Sequence, residues 1–97
     1  MTSEIKKSYR PPVWNTRRSV GVNTEYTLDK DSILLGYPLT YNNADFKFLV
    51  NGTIVLSVSN AVQGNAVQVP ITLPLNKGDK LKVTGSGQYL NCYLYDM

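Results

Sequence analysis

The chain has no histidine, and among its 97 residues there is a single cysteine. Without His there is no Ser-His-Asp or Cys-His constellation, no imidazole ligand for zinc, and no general base with an ordinary pKa near neutrality. Cys92 alone can close neither an internal disulfide nor a cysteine metal site, so the fold uses no covalent staple and the redox compartment is left open. No apolar run approaches the roughly 20 residues that span a bilayer. The polar start MTSEIKKSYR lacks the pattern of a signal peptide, so the expectation is a soluble protein made in the cytosol. Helical periodicity is missing as well: no window of ten residues keeps a 3.6-residue repeat. A chain this short makes one domain, able to bury roughly 60–65% of its unfolded surface.

Charge is present but unevenly placed. Lys and Arg number ten and Asp and Glu seven, a net +3. Residues 1–20 hold Lys6, Lys7, Arg10, Arg17 and Arg18 against Glu4 alone, five minus one, or +4; residues 21–97 hold five lysines against six carboxylates, or −1. The basic character therefore belongs to an N-terminal arm, residues 1–20, ahead of a nearly neutral domain, residues 21–97. Pro11-Pro12 fixes φ and disfavours helix at Arg10, so the arm reads as extended chain. A solvated tail is the plain reading of such a terminus. Trp14 argues for an anchor instead, because Trp, Tyr and Arg dominate interface energetics. Tyr9, Arg10, Trp14, Arg17 and Arg18 are the candidate partner-binding residues, and the remainder is expected to fold without residues 1–18.

From Val20 onward the pattern has period two, as in half-buried strands. Val20, Val22, Thr24, Tyr26 and Leu28 alternate, and the Asp29-Lys30-Asp31-Ser32 turn leads into Ile33-Leu34-Leu35. Phe46, Phe48 and Val50 alternate up to Asn51-Gly52, and Ile54, Leu56 and Val58 alternate away from it. Asn-Gly readily supplies the positive φ angles of a type I′ turn, so residues 45–59 are predicted to form a hairpin. Val67, Val69, Ile71, Leu73 and Leu75 alternate too, but Pro70 and Pro74 confine that strand to an edge or break it. Asn76-Lys77-Gly78-Asp79 turns into Lys80–Val83, and residues 60–65 read as an irregular connection. The last strand is predicted over Tyr89–Tyr95, with Leu90, Cys92 and Leu94 inward and Tyr89, Tyr93 and Tyr95 on the other side. Those tyrosines either pack at the core periphery with hydroxyls in water or form a subunit interface. The fold class is all-β: an antiparallel β-sandwich or jelly roll with an extended N-terminal arm.

Little in this chain suggests chemistry. Asp29 and Asp31, the one close carboxylate pair, suit a turn that accepts backbone hydrogen bonds, and no oxygen ligands follow at EF-hand spacing. Gly85-Ser86-Gly87 lacks the helix and lysine of a phosphate-cradling loop. Asn51-Gly52-Thr53 matches the glycosylation sequon, though the hairpin accounts for it. The expectation is no enzyme, no cofactor and no metal. Nucleic-acid binding would interleave aromatics with Lys or Arg on one sheet face, whereas here the positive charge is concentrated in the arm.

The run from Glu25 to the end, through EYTLDKDSILLGY, FKFLVNGTIVLSVS, VPITLPLNKGDKLKVTGSG and NCYLYDM, resembles the small trimeric jelly rolls of bacteriophage virions. These are similar to the tumour-necrosis-factor and complement-type trimer domains. The likeness covers about three quarters of the chain and rests on the order of the pieces. It implies an auxiliary or decoration protein on the capsid surface, a homotrimer whose interface includes Tyr89, Tyr93 and Tyr95, bound to a major capsid or other shell protein. The stalk that many fibre proteins carry is missing, which favours a short arm joined directly to one domain. The alternative is a carbohydrate- or receptor-binding module in which exposed tyrosines stack on sugars, with weak glycan binding.

Overall fold

A computed structural model describes residues 11–41, 44–59 and 66–97. They form ten strands and, among the described residues, no helix: β1 (Val13–Ser19), β2 (Glu25–Thr27), β3 (Ser32–Gly36), β4 (Leu39–Tyr41), β5 (Asp45–Val50), β6 (Thr53–Ser59), β7 (Ala66–Gln68), β8 (Ile71–Leu75), β9 (Lys80–Gly85) and β10 (Cys92–Asp96). Two four-stranded antiparallel sheets have the orders β1-β10-β3-β8 and β2-β9-β5-β6, and β4 pairs with β7 in a small ribbon.

The alternating apolar positions explain why the two sheets share one core. Leu34, Ile71, Leu75, Cys92 and Leu94 come from the first sheet; Phe46, Phe48, Val58, Leu81 and Val83 come from the second; all are buried in one cluster. β3, β5, β6, β8, β9 and β10 each commit one parity to that cluster, so a one-residue register slip in any of them would turn its set outward. Val20 and Leu28 are buried and Val22 and Tyr26 pack against the core, although only Glu25–Thr27 of that stretch is strand. Asn23, at φ 62°, breaks the run and donates its N–H to the Val83 carbonyl at 2.7 Å.

The hairpin forms as predicted. Val50 faces Thr53 across Asn51 and Gly52, whose φ angles of 53° and 81° are the positive pair a type I′ turn requires. The Asn51 amide nitrogen donates to Asp79 at 3.1 Å, and its carbonyl oxygen accepts the Lys80 N–H at 2.9 Å, which ties this turn to the next. The prolines act as expected: the chain leaves strand at Val69 and Pro70, and β8 is an edge strand with Pro74 opposite Ile33.

Two expectations need correction. The last strand begins at Cys92, not Tyr89, because Asn91 takes φ 48° and ends the extended run; Tyr89 instead exchanges backbone hydrogen bonds with Leu39 at 2.8 and 3.2 Å. The extended arm over residues 1–20 takes another form where it is described: Val13–Ser19 is β1, an edge strand of the first sheet, paired with β10. Its backbone groups find partners on β10, so the folded unit starts before residue 21, and removing residues 1–18 would strip β10 of a neighbour. Tyr9 and Arg10 lie outside the described residues.

Candidate functional site

The outer sides of the two sheets differ sharply in chemistry. On β2-β9-β5-β6 the positions opposite the core parity include Glu25, Lys80, Lys82, Thr84, Lys47, Asp45, Ser57 and Ser59, a mostly polar surface whose apolar residues, Leu49 and Ile54, pair beside the Asn51-Gly52 turn. On the other sheet the cross-strand rows are Tyr93, Leu35 and Thr72, then Tyr95, Ile33 and Pro74, with no lysine or carboxylate among them. Tyr93, Tyr95, Ile33 and Leu35 are half-buried and Pro74 and Thr72 exposed.

β1 adds two residues to this second face. The Trp14 indole meets the Tyr95 ring edge-on at 5.3 Å, and the Arg17 guanidinium lies 4.7 Å from the centre of the Tyr93 ring. Residues three apart on a regular strand point to opposite sides. Both reach the tyrosines because the register with β10 shifts: five steps on β1, Val13 to Arg18, match two on β10, Asp96 to Leu94, an excess of three residues. Thr16 holds the irregularity together. Its hydroxyl accepts the Asp96 N–H at 2.8 Å and donates to the Val13 carbonyl, satisfying backbone groups that the shifted ladder would leave open.

Arg18 falls on the other parity, opposite Leu94, and pairs with Asp96 at 3.0 Å. It supports the edge of the sheet and is not part of the aromatic face. Trp14 keeps 59% of its surface exposed despite the contact with Tyr95. Beside these residues lies a shallow depression of about 360 Å³, lined by Arg17, Leu35, Tyr37, Pro70, Tyr93 and Tyr95.

The residues singled out in the sequence are thus regrouped. Trp14 and Arg17, assigned to an arm, and Tyr93 and Tyr95, assigned to an oligomer interface, form one surface. Tyr89 is not on it: 55% exposed, it lies beyond the strand and packs edge-on with Tyr41, 6.5 Å between ring centres. Beside it, Gln88 accepts the Tyr41 N–H at 2.8 Å. Sequence reasoning passed over Ile33, Leu35 and Tyr37. A usable signal existed in Ile33-Leu34-Leu35, because only one parity of a strand can face the core; apolar side chains on both mark a second face to be covered.

Ionisable groups of the turns and outer strands, and the one core thiol, are engaged in structure. Asp31 accepts the Lys77 N–H at 2.8 Å, joining two turns. The Lys47 ammonium, 2.6 Å from Asp45, holds that carboxyl below the usual carboxylate range by its hydrogen bond and charge, against the opposing effect of burial. Hydrogen bonds from the Asn76 N–H and the Asn51 amide do the same for Asp79. Burial pushes the Cys92 thiol up to about 12, so it is a neutral core side chain near neutral pH. Comparison of the sequence with protein-family models and with curated proteins finds no match.

Proposed function

We propose that this protein is a non-enzymatic structural module that assembles with copies of itself through the outer face of the β1-β10-β3-β8 sheet. Its setting in this reading is a virion, where it serves as an auxiliary capsid protein. The observation that carries the assembly reading is the contrast between the sheets: one outer side is set with Lys and carboxylates, the other with Trp14, Arg17, Tyr93, Tyr95, Ile33 and Leu35. Interface cores are enriched in Trp, Tyr and Arg and depleted in Lys, Glu and Asp, as on this face. Of the main strands, β1, β3, β8 and β10 go to one sheet and β2, β5, β6 and β9 to the other. That distribution supports a jelly roll, and with it a homotrimer of the kind the resemblance implies. Attachment to a shell protein falls to the basic N-terminal segment containing Tyr9 and Arg10, ahead of β1.

Sedimentation equilibrium tests the reading. The wild-type chain is expected to form a trimer at micromolar concentrations, and Tyr95→Ala or Trp14→Ala to raise the dissociation constant at least about tenfold, as loss of an interface anchor does. A folded wild-type monomer under those conditions, unchanged by either substitution, overturns it. Co-sedimentation with particles tests the virion setting separately.

A second reading is favoured by one observation, the separation of Tyr89 from the assembly face. The exposed Tyr41 and Tyr89 pair with Gln88 beside it has the aromatic and amide character that holds a sugar ring. Glycan-array binding lost in Tyr89→Ala, with the oligomeric state unchanged, would establish it.

A further inference from the structure

Among the described residues the two main sheets end in four edge strands, and a free edge presents backbone N–H and C=O groups that can pair with any other strand. Three of the four are guarded. β1 carries the three-residue irregularity with Arg17 and Arg18 on it. β8 contains Pro74 and follows Pro70. β2 is three residues long and begins with Glu25. The fourth, β6, is seven residues of Thr, Ile, Val, Leu and Ser with no charge and no proline, paired with β5 on one side. Ile54 and Val55 stay 53% and 44% exposed. Its one irregularity sits at the turn-proximal end, where Val55 is the extra residue between the pairs Leu49 with Ile54 and Phe48 with Leu56. Residues 56–59 keep regular register with β5.

We infer that the β6 edge is a second self-association site, at which β6 of one copy pairs antiparallel with β6 of another across a twofold axis at Ser57. The occupant is a second copy because an uncharged strand is its own complement in that arrangement. Leu56 of each copy then lies opposite Val58 of the other on the core side, with the two Ser57 side chains opposite each other outside. The nearest charge in outward register is Lys47, opposite Ser57 on β5. The two copies of Lys47 would be separated by three strand spacings, about 14 Å. That exceeds the Debye length of roughly 8 Å at physiological salt, so they do not oppose the pairing. The site is independent of the aromatic face, and it would link units that the face has assembled.

Two variants of the full chain test this. Ser57→Cys is expected to form a disulfide-linked dimer under mild oxidation, read on a non-reducing gel, because directly opposed strand residues have the Cβ separation a disulfide can close. Buried Cys92 supplies the background, and the wild-type chain should give no such dimer. Ser57→Glu gains Lys47 as a cross-strand neighbour within its own copy but opposes a second Glu across the axis. It should weaken concentration-dependent association beyond the basic unit about tenfold in analytical ultracentrifugation, leaving the unit formed by the aromatic face intact; Ser57→Thr should associate as wild type. No cross-link from Ser57→Cys, or equal association of Ser57→Glu and wild type, would overturn the proposal. Loss of the basic unit in Tyr95→Ala bears only on the aromatic face.

Discussion

At the scale of single residues, small groups decide where larger ones can go. Gly36 lies where a Cβ would run into the Asn91 carbonyl oxygen and the Cys92 backbone, neither of which can give way without breaking the pairing of β3 with β10. Gly36→Ala is therefore expected to destabilise the domain by about 2–3 kcal/mol, read from chemical denaturation. Cys92 should resist a thiol reagent at pH 8 in the native protein and react at once in denaturant, since burial holds it neutral. Asp45 and Asp79 have depressed folded pKa values, so the stability they contribute is present above the unfolded value near 3.8 and is lost as pH falls through the folded one. The thermal midpoint should drop as pH is lowered from 5 towards 3, and Asp79→Asn should flatten that drop. The turn aspartates illustrate what a sequence can convey at this scale. Their capacity to accept backbone hydrogen bonds is visible in residue type, whereas the partner of Asp31, a turn 46 residues away, is set by how the strands stack.

At the scale of elements, period-two alternation identified most of the core parity. Phe46, Phe48, Leu81, Val83, Leu90, Cys92 and Leu94 are buried as their spacing requires. What alternation could not convey is where pairing stops, because that depends on backbone angles at residues such as Asn23 and Asn91, both at positive φ. The same limit hid the composition of the aromatic face. Trp14 and Arg17 differ in parity, and only the irregularity closed by Thr16 brings both onto the tyrosines. Replacing Thr16 with Val should leave the Asp96 N–H without its acceptor and cost about 1–2 kcal/mol. The Trp14 fluorescence maximum should shift to the red as the indole leaves Tyr95. Asn51→Ala is a sharper probe of the hairpin. It removes two side-chain hydrogen bonds and places Ala at φ 53°, so a loss of about 2 kcal/mol is expected.

For the whole molecule, the charge balance of +3 takes on a different meaning once it is mapped onto the strands. Arg17 and Arg18 belong to the folded unit, one stacked on Tyr93 and the other paired with Asp96, so much of what reads as a basic tail is used inside the domain. Deleting residues 1–18 should consequently lower the thermal midpoint as well as disturb assembly, because it uncovers one side of β10. The central position of β10 also governs how the chain reaches its fold. β1 waits for a partner that lies almost the whole chain away, as the 78-residue separation of Arg18 and Asp96 shows. Closing a loop of that length costs roughly 4 kcal/mol before any contact compensates for it. The first sheet therefore cannot be built by adding strands in order. Refolding should be a single slow phase of milliseconds to seconds, limited by the meeting of the two ends of the chain.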